Sequence, residues 1–174
     1  MNTKFDQFIQ EHIASLPAQA IDLETEKNLW LEKLDDLYEL VERSLAPHLK
    51  PGSIKLISRT IELYEEQLGN YQVPAIDIAV GRAIVELVPI GTFLIGVRGR
   101  VDMTGPRGTA RLVIAPEGST TPTFRITTPL LDPAQHPESS EAWVWKISTP
   151  PPRITYIDLT EESFRETLMG VIDG

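Results

Sequence analysis

The hydrophobic residues of this chain change their repeat near residue 72, and that change restricts the fold more than any single motif. Before it, apolar positions recur at helical spacing. Phe5, Phe8, Ile9 and Ile13 predict a short amphipathic helix over 4–15, ended by Pro17. Leu23, Trp30, Leu34, Leu37, Val41 and Leu45 follow at intervals of 7, 4, 3, 4 and 4, one face of a second helix that leaves at Pro47 and Pro51-Gly52. Glu24, Glu26, Glu32, Asp35, Glu39 and Glu42 lie off that stripe. Ile54, Ile57, Ile61, Tyr64 and Leu68 repeat at 3, 4, 3 and 4 behind a capping Ser53, with a stop at Gly69-Asn70. A strand over Ser53–Ser58 is the competing reading, and the longer period favours a third helix, antiparallel to the second.

Beyond this point the period is two. Residues 75–80 and 82–88 are apolar runs broken at Gly81, and Pro89-Ile90-Gly91-Thr92 reads as a turn. From Phe93 to Met103 apolar residues alternate with Arg98, Arg100 and Asp102, the pattern of a half-buried strand. Thr104–Gly108 forms a hairpin connection to a partner strand over 109–115. A loop over 116–123, a strand over Phe124–Thr127 and an exposed excursion over 128–140 follow. Trp143, Trp145 and Ile147 share one face of the next strand, with two readings open, a face that meets the helices or an exposed patch; Pro150–Pro152 is a stiff polyproline connection to a last strand over 153–158. Thr160 caps a final helix with Phe164, Leu168 and Val171 as its buried stripe and Leu159 packing back on Phe164.

These elements predict an α+β fold: N-terminal helices packed on a mostly antiparallel sheet of about five to seven strands, closed by a C-terminal helix. The chain of 174 residues has the size of one domain, with a helical part over 1–70, a β-rich part over 74–158 and a helix over 160–172.

Composition narrows the function classes. Cysteine is absent, which excludes a disulfide scaffold, a thiolate metal site and a thiol nucleophile. No segment reaches the roughly 20 apolar residues of a membrane span, and Met1–Gln10 lacks the continuous apolar core of a signal peptide, so the expected location is cytoplasmic. The net charge of -9 is uneven: -6 over residues 1–71, +2 over 72–115 and -5 over 116–174. Such acidity disfavours nucleic acid as a partner; it serves solubility, the favoured reading, or suits a basic protein partner, the sharper one.

Chemistry-bearing motifs are sparse. His12, His48 and His136 stand far apart, with no zinc-ligand spacing. There is no Gly-x-Ser-x-Gly, and Gly91, Gly96, Gly99, Gly105 and Gly108 form no phosphate-binding loop, so they read as turn and close-contact residues. No cofactor or metal is expected from these residues. The stretch that stands out is Gly96 to Arg111. Arg98, Arg100 and Asp102 alternate and should share one strand face, with Arg107 in the turn and Arg111 on the return strand. Guanidinium forks suit carboxylates or phosphates. The competing account is internal pairing with Asp102, Glu86 or the acidic helices, and it is the favoured one.

Gly99-Arg100-Val101-Asp102 before a hairpin also resembles the metal-binding hairpin of restriction-endonuclease-like nucleases. In that family a Glu-x-Lys on the following strand completes the site. Here that strand reads Arg111-Leu112-Val113-Ile114, with neither acid nor lysine, so an active nuclease is not expected. The sequence therefore points to a non-enzymatic binding or accessory protein, for example of the immunity type, engaging a basic protein partner. The alternative is an enzyme or degenerate nuclease-like domain acting on a phosphorylated or nucleic-acid ligand at Arg98, Arg100, Asp102, Arg107, Arg111 and Glu86.

Overall fold

The computed structural model describes residues 3–92, 98–122 and 142–174, with the side chains of residues 3 and 11–22 excepted. The strand expected over Phe124–Thr127, the excursion over 128–140 and residues 93–97 lie outside the described residues.

The fold is α+β. A single helix α1 spans Thr3–Leu49 where two were expected. A proline inside a helix removes one backbone hydrogen bond and costs about 3 kcal/mol. The loss is local, and Pro17 is flanked by the strong helix formers Leu16, Ala18, Gln19 and Ala20. At 1.5 Å per residue α1 is roughly 70 Å long, and among its described side chains the first buried one is Trp30. Phe5, Phe8 and Ile9, in the first turns, are exposed.

The third helix of the sequence reading is a strand. Pro51 and Gly52 reverse the chain into β1 (Ile54–Glu65), so the predicted antiparallel helix pair is replaced by a hairpin. β1 pairs with β2 (Gly69–Val80) from Ile54 opposite Val80 to Glu65 opposite Gly69. Ile54, Ile57, Thr60 and Ile61 are β-branched and suit a pleated surface better than a helix. The chain continues as β3 (Ala83–Gly91), β4 (Arg100–Gly105), β5 (Gly108–Pro116), β6 (Trp143–Ser148), β7 (Tyr156–Asp158) and α2 (Glu161–Asp173). The seven strands pair antiparallel in chain order. Pro89–Gly91, expected as a turn, belongs to β3, whose register against β4 shifts between Pro89 and Gly91. The bulge absorbs the irregularity that the proline and glycine signalled.

One sheet face packs on the helices. Val85, Leu87, Val101, Met103, Leu112, Ile114, Trp145 and Ile147 meet Trp30, Leu34, Leu37, Val41 and Leu45 of α1 and Phe164, Leu168 and Val171 of α2 in one core. Trp143 and Trp145 share this face as expected; Trp145 is buried and Trp143 half-buried. Thr160 caps α2: its hydroxyl accepts from the Ser163 amide at 3.1 Å, while Ser163 Oγ accepts from the Thr160 amide at 2.8 Å. The Arg107 amide donates to the Val171 carbonyl at 2.9 Å, tying the β4–β5 turn to the end of α2. No helix among the described residues is long and apolar enough to cross a membrane.

The β1–β2 hairpin changes its buried side along its length. Ile76 and Ile78 face the core in one half of β2, Val73 and Ala75 in the other. The change falls where pairing with β3 ends, at Ile76 opposite Leu87. Beyond it the arm is a two-stranded ribbon, which twists more strongly than a broad sheet. Two tyrosines hold the arm in place. The Tyr38 hydroxyl of α1 donates to the Pro74 carbonyl at 2.6 Å. The Tyr71 hydroxyl donates to Glu65 Oε1, and Glu65 Oε2 accepts from the Thr92 amide at 3.0 Å.

Burial, with the nearby Asp35 charge, holds the Tyr38 phenol well above its usual value of 10.0. Burial, with the hydrogen bond to Glu65, does the same for Tyr71. A phenol whose pKa is raised on folding contributes stability that is present below about pH 10 and lost as pH rises further. Urea unfolding at stepped pH should therefore show stability falling above about pH 10 by up to about 1.4 kcal/mol per pH unit for each such phenol. The fall should be shallower in Tyr38→Phe/Tyr71→Phe. An equally steep fall in that double variant would place the alkaline sensitivity elsewhere.

Candidate functional site

The sheet face turned away from the helices carries the charges. Cross-strand partners share a face, and two rows follow from the register: Val88, Asp102, Arg111, Ser148 and Tyr156 in one, Arg100, Val113, Lys146 and Asp158 in the next. Asp77 and Glu86 begin a third. Every charged residue of β2 to β7 is thus on this outer face.

Most of these charges are matched internally. Arg59 of β1 reaches Asp77 at 3.1 Å and Glu86 at 3.3 Å. Arg100 grips Asp102 with a two-pronged fork, Nε to Oδ1 at 2.6 Å and Nη2 to Oδ2 at 2.7 Å. Lys146, buried beneath the surface, donates to Asp158 at 2.7 Å and to the Glu117 carbonyl at 2.7 Å. Arg111 is the exception, with no ion pair among the described residues. It stands opposite Asp102, but both carboxylate oxygens there already accept from Arg100.

The six residues singled out by sequence therefore divide. Arg100, Asp102 and Arg111 come together and line an open cleft of about 440 Å³ with Thr109, Ser148 and Pro150. Glu86 turns instead to Arg59, a partner hidden from the sequence reading because β1 was read as helix. Arg107 is exposed in the β4–β5 turn. Arg98 is not on the Asp102 face: its guanidinium lies over the Trp143 ring, 4.2 Å from the centroid, beside α1. The alternation fails at Gly99, where the backbone passes so close to Trp30 that a Cβ would sit 2.5 Å from the indole. Arg98, Glu26, Leu29, Trp30 and Trp143 line a second cleft of about 320 Å³ on the helix side.

A divalent ion needs several free carboxylate oxygens, whereas both oxygens of Asp102 are held by Arg100. Among the described residues no three His, Asp or Glu side chains are grouped to hold a metal.

A second charged feature lies on α1. Glu32, Asp35, Glu39 and Glu42 are exposed, recur at intervals of 3, 4 and 3, and form one row opposite the buried stripe. None has an ion pair among the described residues; the basic residues nearby pair elsewhere, Lys33 with Asp36 and Arg43 with Glu161. The sequence identified these acids as lying off the stripe but carried no sign that they would be unmatched.

The Arg100–Asp102 pair is partly solvated, with side chains 27% and 20% exposed, so solvent screens it. Arg100→Ala should change unfolding free energy in urea by roughly 0–1 kcal/mol. A loss above about 2 kcal/mol would mean that this fork, and not the core beneath it, holds β4 in place.

No protein-family model matches this chain, and neither the curated proteins nor the solved structures compared with it match.

Proposed function

We propose that this is a non-enzymatic binding protein that engages a basic protein partner through the exposed face of α1. One observation carries the reading: the row Glu32, Asp35, Glu39 and Glu42 is exposed, and has no ion pair among the described residues, on the helix that covers the sheet. Like charges three and four residues apart on a helix are unfavourable, by about 0.2–0.5 kcal/mol per pair. The row is a feature that the helix bears rather than needs. A partner with complementary lysines or arginines relieves the repulsion, and the attraction speeds encounter.

Further support comes from the first turns of the same helix. Phe5 and Ile9 are exposed four residues apart, on one helical face. They add exposed apolar area to the same helix, and contact together with charge steering is the combination that protein recognition uses. On this reading the basic partner expected from the net charge of -9 meets the chain at α1.

The test is affinity capture from an extract of the source cells, with wild type and Glu32→Gln/Asp35→Asn/Glu39→Gln/Glu42→Gln side by side. The wild type should enrich a protein of high isoelectric point. The complex should re-form from purified components, weaken as salt is raised, and be lost in the four-site variant. If the variant captures and re-forms the same complex undiminished, the acidic row is not the recognition surface.

A further inference from the structure

We propose that the outer-face cleft between β4, β5 and β6 is a binding site for a small monoanionic carboxylate, held by Arg111. The inference is independent of the α1 interface, which lies on the other side of the sheet. Its first support is the charge balance. Of the seven charged residues on β2 to β7, six are in ion pairs and Arg111 has none among the described residues. Arg100 and Asp102 cancel, so the cleft carries one positive charge in a chain of net charge -9.

The second support is the position of that charge. Arg111 is half-buried and lines a concavity of about 440 Å³. A guanidinium has five N–H donors and no acceptor, and one partly withdrawn from water without a counter-charge is unfavourable. Among the described residues no acid pairs with it: its cross-strand neighbours are Asp102, both of whose oxygens accept from Arg100, and Ser148. The cleft supplies further donors and apolar contact. Among the described residues Ser148 Oγ has only a long 3.4 Å contact to the Thr149 carbonyl, while Pro150 adds hydrocarbon surface.

The third support discriminates between anions. A planar fork matches the two oxygens of a carboxylate, and one negative charge neutralises the site. A phosphate dianion would leave one negative charge in excess, close to the Asp102 carboxylate.

The experiment is an NMR titration of ¹⁵N-labelled full-length protein with butyrate, inorganic phosphate and butylammonium in parallel. Butyrate should give saturable shifts at Arg111 and Ser148 and their neighbours below about 100 mM, a millimolar affinity being ordinary for so small a probe. Arg111→Gln should weaken the affinity at least about tenfold, and Arg111→Lys should also weaken it because lysine loses the fork. The lysine variant keeps the charge and serves as the test should the glutamine variant fold poorly. Absence of saturation with butyrate, equal or tighter binding of phosphate, binding of butylammonium at the same residues, or undiminished affinity in Arg111→Lys would each overturn the proposal.

Discussion

Trp30 is the point at which helix and sheet are fixed to one another. Its indole packs on Trp145 with ring centroids 6.1 Å apart and planes tilted by 43°. Its other edge lies on Gly99, where any side chain would collide with it. Trp145 in turn donates its indole N–H to the Lys33 carbonyl of α1 at 2.7 Å. Two aromatic rings, one glycine and one hydrogen bond thus set the height and register of α1 over β4, β5 and β6. The rest of the apolar stripe, from Leu34 to Leu45, follows by helical geometry.

This arrangement separates structural from recognition surfaces. The inner sheet face and the buried stripe of α1 carry the apolar burial that holds the fold together. The outer sheet face needs only to be compatible with water, and internal ion pairs there contribute little to stability. Arg111 and the acids on α1 depart from such neutral bookkeeping, and both departures stand on the surface of well-packed elements. Rigid elements make precise platforms for recognition. The same packing explains why Arg98 leaves the arginine group: the close fit of Gly99 under Trp30 interrupts the strand alternation just before β4 begins.

Much of the core was legible in the sequence. The stripe of Trp30, Leu34, Leu37, Val41 and Leu45 and that of Phe164, Leu168 and Val171 require only the 3.6-residue period. The strands from β2 to β7 were readable in part from apolar runs, alternation and turn residues, but the first half of β2, read as a helix stop, and Pro89–Gly91 of β3, read as a turn, were not. β1 was not. Because the ribbon twists, its inward residues pass from Ile54 and Leu56 to Ile61 and Leu63, and the parity change breaks the period of two. Ile57, which completed the apparent helical repeat, is half exposed on the outer face. Misreading β1 also concealed Arg59, and with it the partner of Glu86. The fork from Arg100 to Asp102 was within reach of the sequence, since residues two apart on a strand share a face. The isolation of Arg111 was not, because it depends on which of two guanidiniums Asp102 accepts.

The central claim is that the exposed face of α1 is spare to the fold while its buried face is essential. Equilibrium urea unfolding of the variant Glu32→Gln/Asp35→Asn/Glu39→Gln/Glu42→Gln tests it most directly. Removal of like-charge repulsion along the row predicts stability equal to wild type or higher by a few tenths of a kcal/mol per pair, about the scale of helix surface pairs. A loss of more than about 1 kcal/mol would show that these carboxylates support the fold itself, and would contradict the division of labour assigned to the two faces of α1.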